Sequence, residues 1–478
     1  MTTLATRTFE MADQQRFAEL SGDRNPMHMD ALAARKTPAG EPAVHGVHLL
    51  LWALDAFAAS DPGLGLPRRL KAKFNKFIGL GQSATVVVVD RKESAAKLAV
   101  RVGDAAMTDI TIEFGDAPTK VVEFAFADLP LTPLPAAALE LGLDDLADSA
   151  GRLTFATPPA TIAAQFPAAG KWLGASRIAS LAASTNLVGM VCPGLHSVFG
   201  GLTVEFSPEA GPSDALAYDA PKVDARFRRV QQAIAGGGLA GSVESFVRMP
   251  PTEQAGMASL VGAVEPGEFA GAEVLIVGGS RGIGAFTAKL LATGGARVTI
   301  TYRVGKAEAE SVAEDIHSLG GQCAIEAFDA LGSAADLLER MPAPPTHVYY
   351  LATPHITKPA TRVYDRARLD EFFASYIDGF YNLVVELRGR QPALSAFYPS
   401  SVAVDKRPVG WTEYSMTKVA GELMCEEMNR QLAPLHVTVN RLPRLATDQT
   451  ATVMPTETAS MLDTMLPIVR EVQSWPRR

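Results

Sequence analysis

The sequence is poor in cysteine and has no excess of positive charge. Its 478 residues include only 3 cysteines (Cys192, Cys323 and Cys425), which lie too far apart to indicate a disulfide framework or a metal site. We therefore expect a reducing, cytoplasmic location. The net charge of −8 argues against a nucleic-acid partner, because binding to phosphate backbones needs a basic surface.

No stretch predicts a secretion signal or a membrane span. The start of the chain lacks a basic segment followed by an apolar one, so we expect no signal peptide. The apolar run 47–59 is too short to cross a bilayer and contains His48 and Asp55, so it predicts a core helix. A hydrophobic fraction of 47% with 20% charged residues is typical of a globular protein, and the length predicts about three domains.

A short polar segment near the start combines a carboxylate and an imidazole. Asp23 and His28 flank the turn signal Asn25-Pro26, in which proline keeps the preceding asparagine out of the α region. Such a loop can aim both side chains at one water molecule and divide proton transfer between them. The alternative is a polar loop that makes an Asx-turn and has no catalytic role.

This segment and its continuation resemble a known enzyme family. The pattern Ser-Gly-Asp-x-Asn-Pro-x-His, then a loop with Thr37, then Val-His-Gly and an apolar helix, is similar to the MaoC-like (R)-specific enoyl-thioester hydratases of the hotdog fold. The resemblance covers 1–130. It implies that Asp23 and His28 form the catalytic pair. It also implies that Gly46 offers its backbone N–H to the thioester carbonyl.

The residues after the apolar run predict successive antiparallel strands. Segments 84–89, 98–102 and 110–114 are rich in β-branched residues and are bounded by glycine or charged clusters. A buried helix followed by such strands fits the hotdog pattern.

An earlier strand, 68–76, is predicted to carry Arg69, Lys71 and Lys73 on one face. This face is either simply solvated or a docking surface for a phosphorylated carrier, namely coenzyme A or an acyl carrier protein.

The chain then repeats part of its own pattern. Setting Asn186 against Asn25 places Ser184 where Asp23 stands. We interpret 151–250 as a second hotdog repeat that has lost the acid/base pair. It would form an internal pseudo-dimer, as in the double-hotdog hydratases that the chain resembles, and would cover the acyl chain.

A glycine-rich loop follows in the last third of the chain. An apolar strand, 273–277, leads into the loop, and a helix-forming segment and a second strand come after it. A glycine loop in this context lets the backbone approach a pyrophosphate at the helix N-terminus. The candidate cofactor-binding residues of the loop are Gly278, Ser280, Arg281, Gly282, Ile283 and Gly284.

A tyrosine and a lysine one helical turn apart lie further on, at Tyr414 and Lys418, with Ser401 before them. A cation beside a phenol lowers the pKa of the phenol, and a serine hydroxyl can hold a substrate oxygen. The alternative is that the pair only decorates a helix. Over 271–447 the chain resembles the short-chain dehydrogenases/reductases. That resemblance implies that Tyr414 is the proton donor, Lys418 its modulator and ribose ligand, and Ser401 the residue that orients the carbonyl.

The expected cofactor is NADPH. The second strand is followed by Arg303 and Lys306 rather than by an acidic residue, and cations there suit a ribose 2′-phosphate. Arg281 of the glycine loop adds a third cation, and Asp329 resembles the residue of the family that contacts adenine.

The chain departs from the dehydrogenase family at several positions, among them Tyr350 and Leu351 in place of the two asparagines of Asn-Asn-Ala-Gly and Arg444 in place of a glycine after Pro443. Tyr376 takes the place of the family's helix asparagine, and Thr353 takes that of the glycine in Asn-Asn-Ala-Gly. These departures put the usual proton relay in doubt.

The predicted fold is an α+β double hotdog followed by an α/β Rossmann domain with a doubly wound parallel sheet. The domains are 1–130, 151–250 and 271–478. The expected activity is reduction of a 3-oxoacyl thioester of acyl carrier protein or coenzyme A, followed by dehydration, in a biosynthetic pathway and as a homodimer. One alternative is an NAD-dependent degradative hydratase/dehydrogenase, and the other is a single-activity enzyme with one inactive module that serves as a scaffold.

Overall fold

The computed structural model describes residues 1–115, 129–208, 213–356, 363–450, 452 and 456–475. The chain divides into two compact units, formed essentially by Met1–Pro250 and by Pro251–Ala451 with Thr456–Arg478. The predicted border between 130 and 151 falls inside the first unit, where it stays a prediction. Across the described ranges, no helix has the length and apolar character needed to cross a membrane.

The first unit is built on one twelve-stranded sheet, in the order β1-β3-β4-β5-β2-β8-β12-β11-β9-β7-β6 with β10 beside β11. All pairs are antiparallel except β6 with β7. The strands are β1 Thr2–Thr8, β2 Arg69–Phe74, β3 Ser83–Lys92, β4 Ala95–Val102, β5 Ala105–Glu113, β6 Leu131–Thr132, β7 Gly151–Thr154, β8 Ser197–Phe206, β9 Ala215–Tyr218, β10 Lys222–Asp224, β11 Arg229–Gly236 and β12 Leu239–Val247.

The described part of this unit has seven helices. They are α1 Met11–Ser21, α2 Pro26–Met29, α3 Ala31–Ala34, α4 Gly46–Ser60, α5 Pro159–Ala163, α6 Pro167–Leu173 and α7 Ala175–Asn186. Of these, α4 and α7 pack directly on the sheet. The predicted core helix is α4, which is apolar on nearly all sides and correspondingly buried. Helix α7 is buried as well and continues into a π-helical turn, Leu187–Val191.

The two halves of the first unit lie on either side of the central β2–β8 pair and have an equivalent order of elements. Helix α4 precedes β2 and α7 precedes β8, so α7 is the counterpart of α4. The predicted alignment of Ser184 with Asp23 is therefore wrong. Ser184 lies inside a helix and donates its hydroxyl proton to the carbonyl of Leu181 at 2.6 Å. The first half has Pro26 after its asparagine, whereas the second half has a leucine there, which lets the helix continue.

The predicted basic strand is β2, and its charged side chains share one face. Its residue Lys73 lies opposite Asp109 of β5, while Arg69 lies between Glu113 and Glu205 of the two neighbouring strands. Acidic side chains therefore interleave with the basic ones. This arrangement favours a solvated face over a docking surface for a phosphorylated carrier.

The second unit is a six-stranded parallel sheet, in the order β15-β14-β13-β16-β17-β18, with helices on both faces. This confirms the predicted α/β Rossmann fold. The strands are β13 Glu273–Val277, β14 Arg297–Tyr302, β15 Gln322–Ala327, β16 His347–Tyr350, β17 Leu394–Ser401 and β18 Leu435–Leu442. The helices are α8 Gly282–Thr293, α9 Lys306–Ser318, α10 Ala334–Arg340, α11 Arg366–Phe373, α12 Gly379–Arg390, α13 Ala403–Lys406, α14 Thr412–Gln431 and α15 Met461–Gln473.

Candidate active sites

The loop that carries Asp23 is shaped by its neighbours on both sides. Gly22 ends α1 in the left-handed conformation (φ 83°), which glycine adopts without strain. Asn25 is extended before Pro26, and its side chain accepts a hydrogen bond from the backbone of Met27 at 3.0 Å. The expected Asx-turn is therefore present, and it turns the Asp23 side chain inward, where only 1% of the residue is exposed.

Two imidazoles meet this carboxylate. The Asp23 carboxylate and the ring nitrogens of His28 and His45 all lie within 4.8 Å of one another, and the two rings stack at 3.9 Å. Nδ1 of His28 donates a hydrogen bond to the backbone oxygen of Ala43 at 2.7 Å. This bond fixes the ring so that Nε2 points away from that oxygen. Both nitrogens of His45 lie close to oxygens, Nδ1 2.8 Å from Oε1 of Gln14 and Nε2 3.1 Å from the backbone oxygen of Asp23, and a neutral ring donates its single N–H to one of the two. His45 thus braces the loop, while the Asp23 carboxylate and a ring nitrogen of His28 lie within 4.8 Å of each other, close enough for both to act on one water molecule.

Burial dominates the electrostatics of the pair. Desolvation raises the pKa of Asp23, and His28, the Thr185 hydroxyl and the Asn25 backbone N–H oppose that rise. Desolvation also holds the pKa of His45 well below its usual value, so His45 stays neutral near pH 7. The site therefore contains a carboxyl group whose charge depends on the hydrogen bonds it receives.

Residues of the second half complete the site, and sequence reasoning missed them. Thr185 of α7 donates its hydroxyl proton to Oδ2 of Asp23 at 2.7 Å. Asn186 donates from Nδ2 to the backbone oxygen of Ser21 at 3.2 Å. No motif signals these contacts, because they join residues more than 160 positions apart. His45 belongs to the Val-His-Gly motif, which by itself does not indicate this bracing role.

Gly46 is the first residue of α4, where backbone N–H groups have no acceptor inside the helix. A Cβ atom at Gly46 would lie 3.0 Å from the ring of Phe74, so the position favours glycine. The helix dipole is positive at this end and suits a carbonyl oxygen that gains negative charge. This placement is compatible with the thioester-binding role expected of Gly46.

In the second unit, the glycine loop leaves the carboxyl end of β13 and enters α8. Gly278 (φ 84°) and Gly282 (φ 56°) both adopt left-handed backbone conformations. A Cβ atom at Gly284 would collide with the backbone oxygen of Gly278. The backbone of Gly278 donates to Oγ1 of Thr301 at 3.1 Å, which ties the loop to β14. With Ser280 and Ile283, these residues form a cradle of the kind that pyrophosphates occupy at a helix N-terminus.

The predicted cations lie around the end of β14. The Arg303 side chain is 71% exposed, with Nη1 4.0 Å from Oδ2 of Asp329. Lys306 begins α9 and pairs with Glu310 at 3.4 Å. Arg281 forms an ion pair that the sequence does not indicate, with Nη1 3.4 Å from Oδ2 of Asp448, and its role at the ribose 2′-phosphate stays a prediction.

Ser401, Tyr414 and Lys418 come together at the end of β17 and on α14. Tyr414 is hydrogen-bonded to Ser401, yet burial raises its pKa to about 12. Lys418 donates to the carbonyl of Pro399 at 2.7 Å, and burial lowers its pKa to about 7. The expected depression of the tyrosine pKa by lysine is therefore absent in this structure. The reason is that Nζ lies 5.6 Å from the Tyr414 ring centre and desolvation outweighs its charge.

Two of the departures from the dehydrogenase pattern, Tyr376 and Thr353, contact each other. The hydroxyl groups of Tyr376 and Thr353 are hydrogen-bonded. The ring of Tyr376 lies 3.6 Å from Nζ of Lys418, a cation–π contact. An aromatic ring thus lies beside Lys418, at the position where the sequence comparison predicts the family's asparagine.

The low pKa of Lys418 predicts a pH-dependent stability. The pKa is about 7 in the folded chain and 10.5 ordinarily, so the unfolded chain binds more protons between these values. The free energy of unfolding therefore rises with pH in this window, by at most about 1.4 kcal/mol per pH unit. We expect Lys418→Met to be more stable than the wild type at about pH 7, with a difference that shrinks towards about pH 9.

Urea unfolding, monitored by hydrogen exchange of the amides in β17 and α14, measures this difference in the free energy of unfolding. The exposed Lys306→Met serves as the control and should show no such trend. A difference between Lys418→Met and wild type that stays constant with pH would contradict the burial argument.

Family comparisons identify domains in both units. A family model described as "MaoC like domain" matches residues 2–109, and one described as "short chain dehydrogenase" matches residues 272–341. The second match covers the glycine loop and ends before Ser401. Comparison with curated proteins found no match.

Solved structures with a similar fold are short-chain dehydrogenases. A 3-oxoacyl (acyl-carrier-protein) reductase from Agrobacterium tumefaciens with NADP bound is 22% identical and is matched over 38% of this chain and 73% of its own, with a TM-score of 0.35. A short chain dehydrogenase from Pseudomonas syringae is 20% identical, over 45% of this chain and 95% of its own, with a TM-score of 0.40. One from Escherichia coli complexed with NADPH is 20% identical, over 43% and 92%, with a TM-score of 0.39.

Because these TM-scores are below 0.5, the assignment rests on the two family models, with the observed parallel sheet in agreement. The chain thus carries a MaoC-like domain at its N-terminus and a short-chain dehydrogenase domain in its C-terminal part.

Proposed function

We propose that the chain is a bifunctional enzyme that acts twice on one acyl thioester. The second unit reduces a 3-oxoacyl thioester with NADPH, and the first unit removes water from the 3-hydroxyacyl product to give a trans-2-enoyl thioester. The observation that supports this most is that each unit brings together acid/base groups whose reactions share the 3-hydroxyacyl intermediate, Asp23 with His28 in the first unit and Tyr414 with Lys418 in the second. The shared intermediate gives a chemical reason for the fusion.

In the first unit, Asp23 and His28 are the groups that transfer protons. In the hydration direction Asp23 takes a proton from water, the hydroxide bonds to C3, and C2 receives a proton from His28. The Gly46 N–H stabilises the charge that develops on the thioester oxygen. Proton transfer from Asp23 to His28 restores the starting state, and dehydration is the same sequence reversed.

In the second unit, the cradle formed by Gly278, Gly282 and Gly284 fits a dinucleotide, because its left-handed glycines and the close approach of Gly284 to Gly278 let the backbone come near a pyrophosphate at the N-terminus of α8. When bound, NADPH supplies a hydride to the substrate carbonyl carbon. Ser401 orients the carbonyl and Tyr414 gives its proton to the oxygen. Lys418, held by Pro399 and by the Tyr376 ring, supplies positive charge near Tyr414 and the ribose.

We also propose a division of the chain into three domains and a class of substrate. The mirrored arrangement about β2 and β8 supports a double hotdog with domains 1–130 and 151–250, followed by the reductase domain 271–478. Of these, residues 116–128, 209–212, 357–362, 451, 453–455 and 476–478 lie outside the described residues. The substrate is a thioester of acyl carrier protein or coenzyme A.

A paired assay tests the sequence of reactions. With a short 3-oxoacyl thioester, we expect wild type to oxidise NADPH and to form enoyl product, which mass spectrometry detects. Asp23→Asn should still oxidise NADPH but lose the enoyl product by about a hundredfold or more, because the buried carboxylate cannot be replaced as a proton carrier. Tyr414→Phe should lose both.

Two outcomes of this assay would redirect the assignment. Wild type that hydrates a crotonyl thioester but never uses NADPH would leave the second unit as a binding scaffold, which the aromatic replacement of the family asparagine at Tyr376 favours. Wild type that is active only in the oxidative direction would favour the degradative alternative.

The cofactor preference is tested at Arg303, whose exposed guanidinium stands beyond the end of β14. We expect Arg303→Asp to reduce the preference for NADPH over NADH by about tenfold or more, because a charge-assisted hydrogen bond to the 2′-phosphate is replaced by repulsion. Arg366→Asp, on exposed α11, is the matched control. Unchanged kcat/KM ratios in Arg303→Asp would argue for the NAD-dependent alternative.

The proposed homodimer is supported by apolar side chains on the surface of the second unit. Met416, Val419 and Leu423 of α14 follow helical spacing and are each about half exposed, as is Tyr381 of α12. We expect a dimeric mass in light scattering. Val419→Asp combined with Leu423→Asp should give the monomer, and a monomeric wild type would refute the dimer.

A further inference from the structure

The two halves of the first unit meet at the carboxylate of Asp23. Its Oδ1 accepts a hydrogen bond from the backbone of Asn25 at 3.1 Å, and its Oδ2 accepts one from the hydroxyl of Thr185 at 2.7 Å. Asp23 and Thr185 are both buried, with 1% and 3% of their surfaces exposed. Each carboxylate oxygen is thus held by a donor from a different half of the unit.

The backbone after Thr185 is shaped to admit this carboxylate. A Cβ atom at Gly189 would lie 2.5 and 2.8 Å from the two carboxylate oxygens, so a larger residue there would displace Asp23. The carbonyl of Gly189 accepts from Nδ2 of Asn25 at 2.7 Å. This carbonyl is available because the residue four positions on is Pro193, which has no N–H to complete a helical hydrogen bond.

We propose that Thr185 is a positioning residue for the dehydration and hydration reaction, acting on the orientation and charge of the Asp23 carboxylate. The inference rests on the proposed function of the first unit. It gives the second half a role in catalysis beyond covering the acyl chain.

The Thr185 hydroxyl can be removed without changing any charge near Asp23. Among the described residues, the titratable groups that face Asp23 are His28 and His45, both from its own half. The second half presents Thr185, Asn186 and Gly189, which carry no charge. Removing the Thr185 hydroxyl therefore removes a donor to the ionised carboxylate without changing any neighbouring charge, which disfavours the charged form of Asp23.

The test replaces the hydroxyl by a methyl group of similar shape. We expect Thr185→Val to move the acidic limb of the pH–rate profile for hydration of crotonyl coenzyme A upward by about one pH unit or more. It should lower kcat more than it raises KM. Thr185→Ser, which keeps the hydroxyl, should restore the wild-type profile, and Thr185→Ala is the second variant if valine prevents folding.

Ser184→Ala is the matched control, since that hydroxyl is equally buried one position earlier but donates to Leu181 within the helix. A second readout does not depend on activity. Isotope-edited infrared spectra of the ¹³C-carboxyl aspartates, with Asp23→Asn to assign the band, follow the titration of Asp23 directly. We expect this titration to move upward in Thr185→Val and to stay unchanged in Ser184→Ala.

These measurements distinguish a failure of the proposed function of the first unit from a failure of the proposed role of Thr185. If wild type does not hydrate crotonyl coenzyme A, the proposed function fails, and the infrared titration still decides the role of Thr185. The inference is overturned if Thr185→Val titrates like the wild type, or if its activity falls with no shift in the pH profile. It is also overturned if Ser184→Ala has the same effect as Thr185→Val.

Discussion

The burial of one carboxylate is the constraint on which the first unit depends. An ionised group can be removed from water only if hydrogen bonds and opposite charges compensate for the lost solvation. Asp23 receives this compensation from both sides, from the Asn25 backbone in its own loop and from Thr185 across the unit. The loop turn, the bracing by His45 and the turn at Gly189 all follow from that requirement. The continuous β2–β8 pairing keeps the two halves in the register that these contacts need.

A different constraint governs the second unit, where the backbone must come close to a charged ligand. The glycine loop meets it with left-handed residues and a close approach of Gly284 to Gly278. Beside the reactive residues, an aromatic side chain stands where the sequence comparison predicts the family's asparagine. This side chain contacts a second departure from the family pattern. Tyr376 faces Lys418, and its hydroxyl bonds to Thr353. A buried ammonium can be stabilised by an aromatic face in place of an amide and water, since the ring quadrupole attracts cations.

Much of the fold and of both sites could be predicted from local patterns. The core helix, the antiparallel strands and the parallel sheet with its glycine loop lie where the sequence indicates, because hydrophobic period and turn residues act over short distances. The error concerned the second repeat, where a polar run around Asn186 looked like the loop of Asp23. Two residues decide the difference, since Gly22 ends α1 and Pro26 holds Asn25 outside the α region in the first half, whereas Leu187 follows Asn186 directly and the helix continues. The pKa of Tyr414 was also misjudged, because desolvation depends on packing that a motif does not show.

By itself, the sequence determined which chemical groups are present and how each is presented locally. It placed Asp23 and His28 on one turn, Tyr414 and Lys418 one helical turn apart, and glycines where a loop must approach a phosphate. Only the tertiary structure decided which distant residues complete these groups. Thr185 reaches Asp23, Asp448 pairs with Arg281, and Tyr376 lies against Lys418. Such pairs form because a fold brings remote segments together to bury apolar surface, and no local pattern records which segments will meet.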